Sequence, residues 1–586
     1  MSAGGGPRVH ARLAFEASGL AGHGALQLDF AEPTRVLCAQ RVDEVRGVMD
    51  AAEAAAAAGA WVLGWLAYEA APAFDAALPT HAPAGPLAWF GVHHAPCPGH
   101  APQPEDRVRV AWDPPGARDH FDAAFHGIRR AIEAGEVYQV NHTGRWRGQW
   151  REGSGLALFE RLRREQPAPY AAYLHCGEQQ VMSLSPELFF DWDGQRVLTR
   201  PMKGTAPRGF TPAEDAALSR GLAASPKERA ENVMVVDLLR NDLSRVAEPG
   251  SVHVPSLFDV RALPSVWQMS SDVRARTRPG TELWALLQAL FPCGSVTGAP
   301  KRQAMRRIAQ HEADARGVYC GAVGVLRPGG GATFNVGIRT VVARESRLML
   351  GVGSGITADS NARAEWREWQ HKAAFAARAA EPFELLETLR LSGGQWRHEL
   401  QHRERMAGSA RHFGFVWCDT AWTQALRGVA AAHGGGDWRV RVLCDRAGRL
   451  QATAHALAPT TTPVRLVLAD SAFAAAHSPF VRHKSTRRAH YEAAERLLPG
   501  VFDTLLWNDD GELTECTRGN IALRLDEGWV TPAPDCGLLA GIGRQLALDE
   551  GRVREAVIGL KDLPRVREWA FLNSLRGWLP ATLQPR

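Results

Sequence analysis

The segment GVGSGITADSNARAEWREWQHKA at residues 351–373 decides the fold of the first half of the chain. Its first residues continue a β-rich stretch, and the charged part that follows predicts a helix over residues 364–379. Glu365 and Glu368 are three residues apart, so both carboxylates point to one face of this helix, and Lys372 follows one turn later. The segment therefore predicts a strand followed by a helix with an acidic face.

A second segment, KERAENVMVVDLLRNDL at residues 227–243, repeats this acidic spacing. It predicts a helix over residues 226–240 with Glu228 and Glu231 on one face. Two such helices facing each other could offer oxygens to Mg2+, which prefers carboxylate and water ligands. Spacing alone leaves the matter open, because an acidic pair on one helix is usually a solvated face.

The composition is typical of a globular enzyme with two domains. A chain of 586 residues is longer than one hydrophobic core normally supports. A strand–turn–strand pattern begins again near residue 382, so we expect domains at 1–380 and 381–586. The net charge of +5 forms no basic tract, which argues against nucleic-acid binding and suits an anionic small substrate. Nine scattered cysteines without a CxxC pair predict reduced thiols. The longest apolar run, residues 54–68, is too short to cross a membrane, and the N-terminus lacks a signal segment. We expect a soluble, cytoplasmic protein.

Six blocks of the first domain resemble the chorismate-utilising enzyme family and follow the family's order. They are PMKGTAPRG (201–209), KERAENVMVVDLLRNDL (227–243), FPCGSVTGAPKRQAM (291–305), YCGAVG (319–324), NVGIRTVV (335–342) and the segment at 351–373. Six blocks in order over roughly residues 120–380 make the resemblance highly specific. It implies an α/β (α+β) fold in which a deep sandwich holds chorismate and Mg2+ between its layers.

The resemblance also implies roles for individual residues. Four glutamates would surround Mg2+ and the substrate carboxylate that it binds: Glu228, Glu231, Glu365 and Glu368. Glu228 would also be a catalytic residue. The second carboxylate of the substrate and its surroundings would be held by Arg339 and Tyr319. Further substrate contacts would come from Thr205, Lys372 and the main-chain amides of Gly353 and Gly355, which approach an anion closely because glycine has no side chain. For Gly298 and Lys301, a role in the turn and direct substrate contact are equally open.

Lys203 decides the subfamily, because relatives that make anthranilate resemble PIAGT here, whereas 4-amino-4-deoxychorismate synthases carry lysine before GT. A lysine amine can attack C2 of chorismate, expel the C4 hydroxyl and leave as ammonia adds at C4. Such a lysine must be neutral, which burial or nearby cations would favour. Gln268 stands where the family often has histidine and cannot act as a base, so we expect this domain to aminate without eliminating pyruvate.

The first domain lacks a glutamine amidotransferase motif. Cys293 lies in the chorismate-family turn rather than in a strand–elbow–helix setting, so we interpret it as structural. Ammonia would therefore come from a separate amidotransferase subunit or from solution.

From residue 383 onward the chain resembles the fold-type IV family of pyridoxal 5'-phosphate (PLP) enzymes, specifically its 4-amino-4-deoxychorismate lyases. The matching blocks are FELLETLRL (383–391), HRERMAGSARHFGF (402–415), RHKSTRRAHYE (482–492), GELTECTRGNIAL (511–523), TPAPDCGLLAGIGR (531–544) and LNSLRG (572–577). They span nearly the whole domain in order. The resemblance implies a PLP site, and family members usually build it at a dimer interface, so a homodimer is expected.

Each residue of the implied PLP site has a chemical role. Lys484 would attach PLP covalently and then act as the acid/base. Glu515 would pair with the pyridine nitrogen, and the guanidinium fork of Arg405 would bind the phosphate with help from the amides of Gly541 and Ile542. The remaining positions that would line the cofactor are Asn520 and Ser574.

The two halves support each other, because the product of the first would be the substrate of the second. Together they predict a bifunctional enzyme that aminates chorismate and then eliminates pyruvate to give 4-aminobenzoate, on the route to folate. The alternative is an anthranilate- or isochorismate-type synthase fused to an amino-acid aminotransferase, against which Lys203 and Gln268 both argue. Aminotransferase activity of the second domain stays open.

Overall fold

The computed structural model describes residues 9–20, 24–97, 108–113, 118–207, 212–263, 266–496 and 498–584. The chain divides into two compact units, residues 1–381 and 382–586. None of the helices in these described ranges is both long enough and apolar enough to cross a membrane.

The described strands of the first unit form two sheets. In chain order they are β1 Ala11–Phe15, β2 Leu26–Phe30, β3 Arg35–Ala39, β4 Trp61–Leu66, β5 Ala88–His93, β6 Arg109–Trp112, β7 Gln139–Glu152, β8 Tyr170–Cys176, β9 Gln179–Ser185, β10 Leu188–Trp192, β11 Arg196–Arg200, β12 Met202–Pro207, β13 His253–Ala262, β14 Val266–Arg276, β15 Gly298–Ala299, β16 Ala322–Leu326, β17 Ala332–Val336, β18 Thr340–Arg344 and β19 Arg347–Ile356. One sheet has the order β15-β7-β19-β18-β9-β8-β1-β2, with β6 also paired to β7. The other has the order β12-β14-β11-β10-β17-β16-β4-β5-β3, with β13 also paired to β14.

Helices cover the outer faces of both sheets. They are α1 Val45–Ala57, α2 Ala71–Phe74, α3 Arg118–Glu133, α4 Gly155–Glu165, α5 Pro212–Ala224, α6 Pro226–Ser244, α7 Leu283–Leu290, α8 Lys301–His311 and α9 Ala362–Ala379. One apolar cluster joins α3, α4, α8 and α9 to the sheet that contains β7. Another joins α1, α6 and α7 to the sheet that contains β4. A third lies between the sheets, where Leu13 packs with Trp65. The unit is therefore a four-layer α/β/β/α sandwich.

Both acidic helices that the sequence predicts are confirmed, and local signals explain where they begin. Ser225 caps α6 by accepting a hydrogen bond from the Glu228 amide, and Pro226 occupies the first helical position. Asn361 caps α9 by accepting from the Ala364 amide. Helix α6 extends four residues beyond the predicted end because its apolar side continues through the buried Leu243.

The second unit has a four-stranded and an eight-stranded sheet in its described residues. Its strands are β20 Leu385–Ser392, β21 Gln395–Arg397, β22 Asp437–Cys444, β23 Leu450–Ala456, β24 Val464–Leu468, β25 Asp503–Trp507, β26 Leu513–Cys516, β27 Asn520–Leu525, β28 Gly528–Pro532, β29 Arg554–Ala556, β30 Glu568–Asn573 and β31 Gly577–Leu583. The smaller sheet has the order β21-β20-β22-β23, and the larger has the order β26-β25-β24-β31-β30-β27-β28-β29. Its helices are α10 Glu399–Phe413, α11 Asp419–Ala432, α12 Pro479–Arg482, α13 Ala489–Ala494 and α14 Ile542–Asp549.

Two candidate active sites

Lys203 extends from β12 of one sheet to β19 of the other. Its Nζ lies 3.0 Å from the position that a β-carbon on Gly355 would occupy, and Nε2 of Gln139 lies 2.6 Å from the same position. Any side chain at position 355 would collide with both groups. The glycine therefore allows the lysine amine to reach the main chain between the two layers.

The main chain of Lys203 is held by a buried pair of polar residues. Nδ2 of Asn232, on α6, donates to the Lys203 carbonyl at 3.5 Å. The Ser271 hydroxyl in turn donates to Oδ1 of Asn232 at 2.6 Å. The lysine is thus fixed relative to the helix that carries Glu228.

Gln268 braces the same strand from β14. Its Nε2 donates to the Gly204 carbonyl at 2.8 Å, and its Oε1 accepts from the Thr205 hydroxyl at 3.1 Å. Gln268 thus has a structural function that the sequence did not reveal. Thr205, an expected substrate contact, lies directly opposite Gln268 in the sheet.

Glu187 is a further candidate site residue, which no sequence motif indicated. It precedes β10, is 3% exposed, and its Oε1 has no hydrogen-bond partner within the described ranges. Burial raises the pKa of Glu187 to about 7, although a hydrogen bond from Ser295 and the positive charges of Lys203 and Lys372 act in the opposite direction. An acid inside the apolar run LSPELFF was the signal that could have identified it.

The two acidic helices bring their carboxylates close enough to repel each other. Burial raises the pKa of Glu228, and the negative charges of Glu231 and Glu368 raise it further. Burial also raises the pKa of Glu365, and Glu368 adds to this effect. These interactions couple α6 to α9 across the site.

Lys372 occupies the space beside Glu368. Its Nζ lies 2.5 Å from Oε1 of Glu368 and donates to the Gly353 carbonyl at 2.8 Å. Desolvation opposes ionisation of Glu368, but the hydrogen bond and charge of Lys372, with the charges of Lys203 and Arg339, together outweigh it and lower the pKa of that carboxyl. The lysine therefore links α9 to β19 and favours the ionised form of Glu368.

Arg339 contacts α9, and Tyr319 contacts β19. Burial lowers the pKa of Arg339 to about 10, and its Nη1 donates to the Lys372 carbonyl at 3.0 Å. The Tyr319 ring packs where a β-carbon on Gly351 would stand, 2.1 Å from its Cγ. The guanidinium of Arg145 lies 5.2 Å from the centre of that ring.

The turn at residues 291–305 is held by structural contacts. Nζ of Lys301 lies 2.9 Å from Oδ2 of Asp242 and 3.3 Å from the Leu290 carbonyl. Gly298 has φ +138°, and a β-carbon there would lie 2.1 Å from the Gln139 carbonyl oxygen. Cys293 is buried, and burial raises the pKa of its thiol to about 12. These contacts favour the turn role for all three residues.

The four glutamates carry the oxygen ligands that Mg2+ prefers, but they do not form a complete coordination site. Oε1 of Glu365 accepts from the Ser360 hydroxyl at 2.7 Å, whereas its buried Oε2 has no partner in the described part of the chain. Across those same residues, no group of three or more His, Cys, Asp or Glu is close enough to hold a metal ion. A divalent cation would relieve the repulsion among these oxygens, so the donor set fits the ion.

In the second unit, Lys484 follows α12 in a loop that pairs with the start of β20. Its carbonyl accepts from the Leu386 amide at 3.1 Å. Burial lowers the pKa of Lys484 to about 8; the positive charge of Arg405 also lowers it, whereas Glu387 raises it. A buried amine with a pKa this low is suited to react as a neutral nucleophile or base.

Glu515 lies on β26, 3% exposed. Burial raises its pKa to about 8, and a hydrogen bond from Tyr491 opposes this rise. The Tyr491 phenol donates to Oε1 of Glu515 at 2.7 Å. Tyr491 lies in the block RHKSTRRAHYE, but nothing in its spacing distinguishes it as a site residue.

Arg405 is held by a buried ion pair. Its Nε and Nη2 donate to the two carboxylate oxygens of Glu387 at 2.7 and 2.8 Å. Nδ1 of His402 lies 2.6 Å from the same carboxylate. Burial would raise the pKa of Glu387, but Arg405 and His402 outweigh it and lower this pKa. Glu387 therefore orients Arg405, and a phosphate would bind through the rest of the guanidinium.

The main chain at the N-terminus of α14 is closely packed against Asn520. Gly541 caps the helix, and a β-carbon there would lie 2.0 Å from Oδ1 of Asn520. Nδ2 of Asn520 donates to the Leu539 carbonyl at 2.9 Å. Ile542 is the first helical residue, and Ser574 follows directly after β30. Such an N-terminus with a close-packed glycine suits a phosphate, so with Lys484 and Glu515 the residues present fit PLP.

Comparison with known families agrees with this division. Residues 94–378 match the chorismate binding enzyme family, and residues 384–583 match the amino-transferase class IV family. The chain joins a chorismate binding enzyme domain to an amino-transferase class IV domain. The chorismate-binding domain thus contains Lys203 and the four glutamates, and the class IV domain contains Lys484 and Glu515.

The chorismate-binding domain is similar to enzymes of two activities. Aminodeoxychorismate synthase component 1 of Salmonella typhimurium is 41% identical over 45% of this chain and 58% of its own length. Anthranilate synthase component 1 of Streptomyces coelicolor is 40% identical over 46% of this chain and 53% of its own. The chain thus spans little more than half the length of these curated relatives.

Solved structures show the fold of the chorismate-binding domain. Anthranilate synthase component I of Streptococcus pneumoniae has a TM-score of 0.50 and 23% identity, covering 64% of this chain and 91% of that one. The menaquinone-specific isochorismate synthase of Escherichia coli has a TM-score of 0.50 and 18% identity, covering 64% and 89%. Relatives of different activities share this fold, so the fold alone does not identify the reaction.

Proposed function

We propose that the chain makes 4-aminobenzoate from chorismate in two steps, one in each domain. The observation that carries the proposal is a lysine amine, Lys203, placed between the layers of the chorismate-binding domain beside a buried acid, Glu187. The class IV domain adds a buried lysine and acid that suit PLP. The product of the first domain would then be the substrate of the second.

In the first step, the amine of Lys203 attacks C2 of chorismate and the C4 hydroxyl departs. Glu187, with a pKa of about 7, donates the proton with which this hydroxyl leaves as water. Ammonia then adds at C4, the bond from Lys203 to C2 breaks, and Lys203 is regenerated. The overall change exchanges the hydroxyl for an amino group and releases one water.

The carboxylates of the substrate would be held from two sides. Bound Mg2+ would neutralise one of them, held by Glu228, Glu231, Glu365 and Glu368. Arg339 would face the other, together with the main-chain amides of Gly353 and Gly355. The remaining substrate contacts would come from Thr205, Tyr319 and Lys372.

In the second step, Lys484 removes the proton from C4 of aminodeoxychorismate, and pyruvate leaves from C3 as the ring becomes aromatic. Bound PLP would supply the sink for the electrons left at C4. Glu515 would hold a proton on the pyridine nitrogen, and Tyr491 would keep Glu515 in place. Arg405, Asn520, Gly541, Ile542 and Ser574 would bind the rest of the cofactor.

The proposal includes a partner and a location. A separate glutamine amidotransferase subunit would supply ammonia, and the class IV domain would form a homodimer. All nine cysteines lie in the described residues as free thiols, which supports a cytoplasmic location. The product would serve the synthesis of folate.

The experiment is a product analysis with the purified full chain. Chorismate, Mg2+ and ammonium are supplied with and without PLP, and the products are separated by chromatography. We expect 4-aminobenzoate with PLP, and aminodeoxychorismate as the accumulating product of Lys484→Ala. The matched control is Lys561→Ala, a lysine of the same unit outside the site.

Anthranilate or salicylate as the product would overturn the first step and favour the alternative fusion. Transfer of the amino group to a keto acid by the second domain, without pyruvate release, would overturn the second step.

A further inference from the structure

Helices α10 and α11 of the class IV domain cover one face of its four-stranded sheet, where Leu389 and Val440 pack with Trp422. Successive residues of a strand point to opposite faces of a sheet. Arg390 and Arg439 each follow or precede one of these buried residues in the strand, so they point to the face away from the helices. The proposed reactions use neither arginine.

A row of basic residues crosses this second face. Arg390 of β20 lies directly opposite Arg397 of β21 on one side and Arg439 of β22 on the other. Arg439 in turn lies opposite His455 of β23. Residues that face each other in neighbouring strands have β-carbons about 4.5–5.5 Å apart, and like charges at such positions are destabilising. The sheet therefore holds several cations together against their mutual repulsion.

The four strands supply little negative charge to this face. Their two acids are Glu387 and Asp437. Glu387 is engaged by Arg405 on the helix side, and Asp437 accepts from Nη2 of Arg390 at 2.7 Å. Arg439 is exposed and forms no salt bridge with any residue in the described ranges. The face therefore carries a surplus of positive charge.

Arg576 brings a further cation to this face from the larger sheet. It lies in the turn between β30 and β31, two residues after Ser574, and its Nη1 donates to the Ala458 carbonyl, just beyond β23, at 3.0 Å. Burial lowers the pKa of Arg576, and the positive charges of three other arginines lower it further: Arg439, Arg518 and Arg390. The turn that carries Ser574, a residue of the candidate PLP site, thus adjoins the arginine row.

We propose that these arginines form an anion site that binds a small dicarboxylate beside the candidate PLP site. The planar guanidinium of Arg439 can donate two parallel hydrogen bonds to one carboxylate, and Arg390 and Arg576 would bind the other. The choice of ligand rests on the proposed function, because aminodeoxychorismate, the proposed substrate of this domain, carries two carboxylates. The site would select such a substrate over an amino acid with a single carboxylate, which balances less of the positive charge.

The test is calorimetric titration of the full chain with isophthalate, an unreactive ring that carries two carboxylates. The chain is loaded with PLP, which occupies the phosphate position, and Mg2+ is omitted. Isophthalate should bind at least tenfold more tightly than benzoate, which has one carboxylate, and than inorganic phosphate. Arg439→Gln and Arg576→Gln should each weaken isophthalate binding about tenfold to a hundredfold, the scale of hydrogen bonds to charged groups. The matched control is Arg427→Gln, at an exposed arginine of α11 on the helix side of the sheet.

Thermal unfolding of the full chain without isophthalate provides a second readout, which separates binding from a structural role. Removing one of several neighbouring like charges relieves their repulsion. Arg439→Gln should therefore unfold at the same temperature as the parent or at a higher one, although it binds isophthalate more weakly. Weaker binding together with a lower unfolding temperature would assign Arg439 to the stability of the fold and overturn the proposal.

Two further results would also overturn it. Loss of isophthalate binding in Arg339→Gln but not in Arg439→Gln would place the probe in the chorismate-binding domain. Conversion of a dimeric parent to monomers by Arg439→Gln, measured by size-exclusion chromatography, would assign the arginines to a subunit interface.

These measurements require no turnover, so they are independent of the product analysis. A chain that makes 4-aminobenzoate but binds isophthalate equally well as parent and as Arg439→Gln would retain the proposed function and lose this site. A chain that shows the expected binding pattern but makes no 4-aminobenzoate would retain the site and lose the proposed function.

Discussion

The phenol of Tyr491 donates a hydrogen bond of 2.7 Å to Oε1 of Glu515. The pair is buried, and the hydrogen bond favours the ionised carboxylate, against the burial that raises its pKa to about 8. An ionised Glu515 is what a protonated pyridine nitrogen requires. The phenol therefore supports the electronic role proposed for its neighbour.

Replacing Tyr491 by phenylalanine should lower the rate of pyruvate release from aminodeoxychorismate about tenfold to a hundredfold. One hydrogen bond to a charged group contributes about 1.5–3 kcal/mol. The PLP content, measured by absorbance, should change little. Tyr138→Phe, at a side chain that is 68% exposed, is the control. A full rate in Tyr491→Phe would show that Glu515 needs no such support.

Glu387→Gln should reduce both stability and PLP affinity. Removing one partner of a buried ion pair costs on the order of 3 kcal/mol. The folded state lowers the pKa of Glu387 below its ordinary 4.5, so its contribution is present above pH 4.5 and is lost as the pH falls toward the folded value. Chemical unfolding of the full chain should give the variant a much lower free energy of unfolding than the parent at pH 7. This difference should become smaller below pH 4.5. The control is the exposed Glu404→Gln, for which a deficit of equal size would contradict this account.

Lys203→Met should lower amination on the order of 10³-fold or more, because a nucleophile is removed. In the parent, chorismate without ammonium should leave a covalent adduct on Lys203, with the mass of chorismate minus water, detectable by peptide mass spectrometry. The exposed Lys227→Met should retain both the rate and the adduct. Amination by Lys203→Met at the parent rate would exclude the covalent route.

Glu187→Gln should change the pH profile of amination. With a folded pKa of about 7, the proton that the leaving hydroxyl requires is present below pH 7 and is lost above it. The parent rate should therefore decline as the pH rises through about 7. The variant should be slower by about 10²–10⁴-fold and should lack this decline. An unchanged pH profile in Glu187→Gln would show that another group donates the proton to the leaving hydroxyl. The matched control is Glu178→Gln, at an exposed side chain.

Gln268→Ala removes two hydrogen bonds that brace β12 but no group that handles protons. Each such bond contributes about 0.5–1.5 kcal/mol, so we expect the amination rate to fall by roughly tenfold. The kinetic measurement should separate KM from kcat, because looser positioning of Thr205 affects both. Complete loss of amination would contradict the positioning role of Gln268.

Local structure was accessible from the sequence, as α6 and α9 show. Their acidic spacing and caps lie within a few residues, and their bounds follow closely. Lys203 and Lys484 were accessible through the blocks around them. The reactive pairs of the site depend instead on contacts between distant segments, as with Lys203 and Gly355, and periodicity carries no record of such contacts.

Glu187, Glu387 and Tyr491 illustrate the same limit. Each is a single polar residue in an otherwise unremarkable stretch, and its importance arises from burial beside a partner far away in the chain. The function of Gln268 was hidden for a related reason, because its two hydrogen bonds are made across β12 and β14. Only the folded chain reveals which isolated polar residues become neighbours.

Alternate residues of β19 project to one side of the sheet, and on the side that Tyr319 and Lys203 occupy they are Gly351, Gly353 and Gly355. Tyr319 and Lys203 lie where the first and last of these would carry side chains. Side chains cannot be added to this surface one atom at a time, because even a methyl group at Gly351 or Gly355 would displace Tyr319 or Lys203. Under the proposed reaction, evolution toward another chorismate product would therefore act on the opposing sheet, where replacing Lys203 would remove the nucleophile and leave the shape of β19 unchanged.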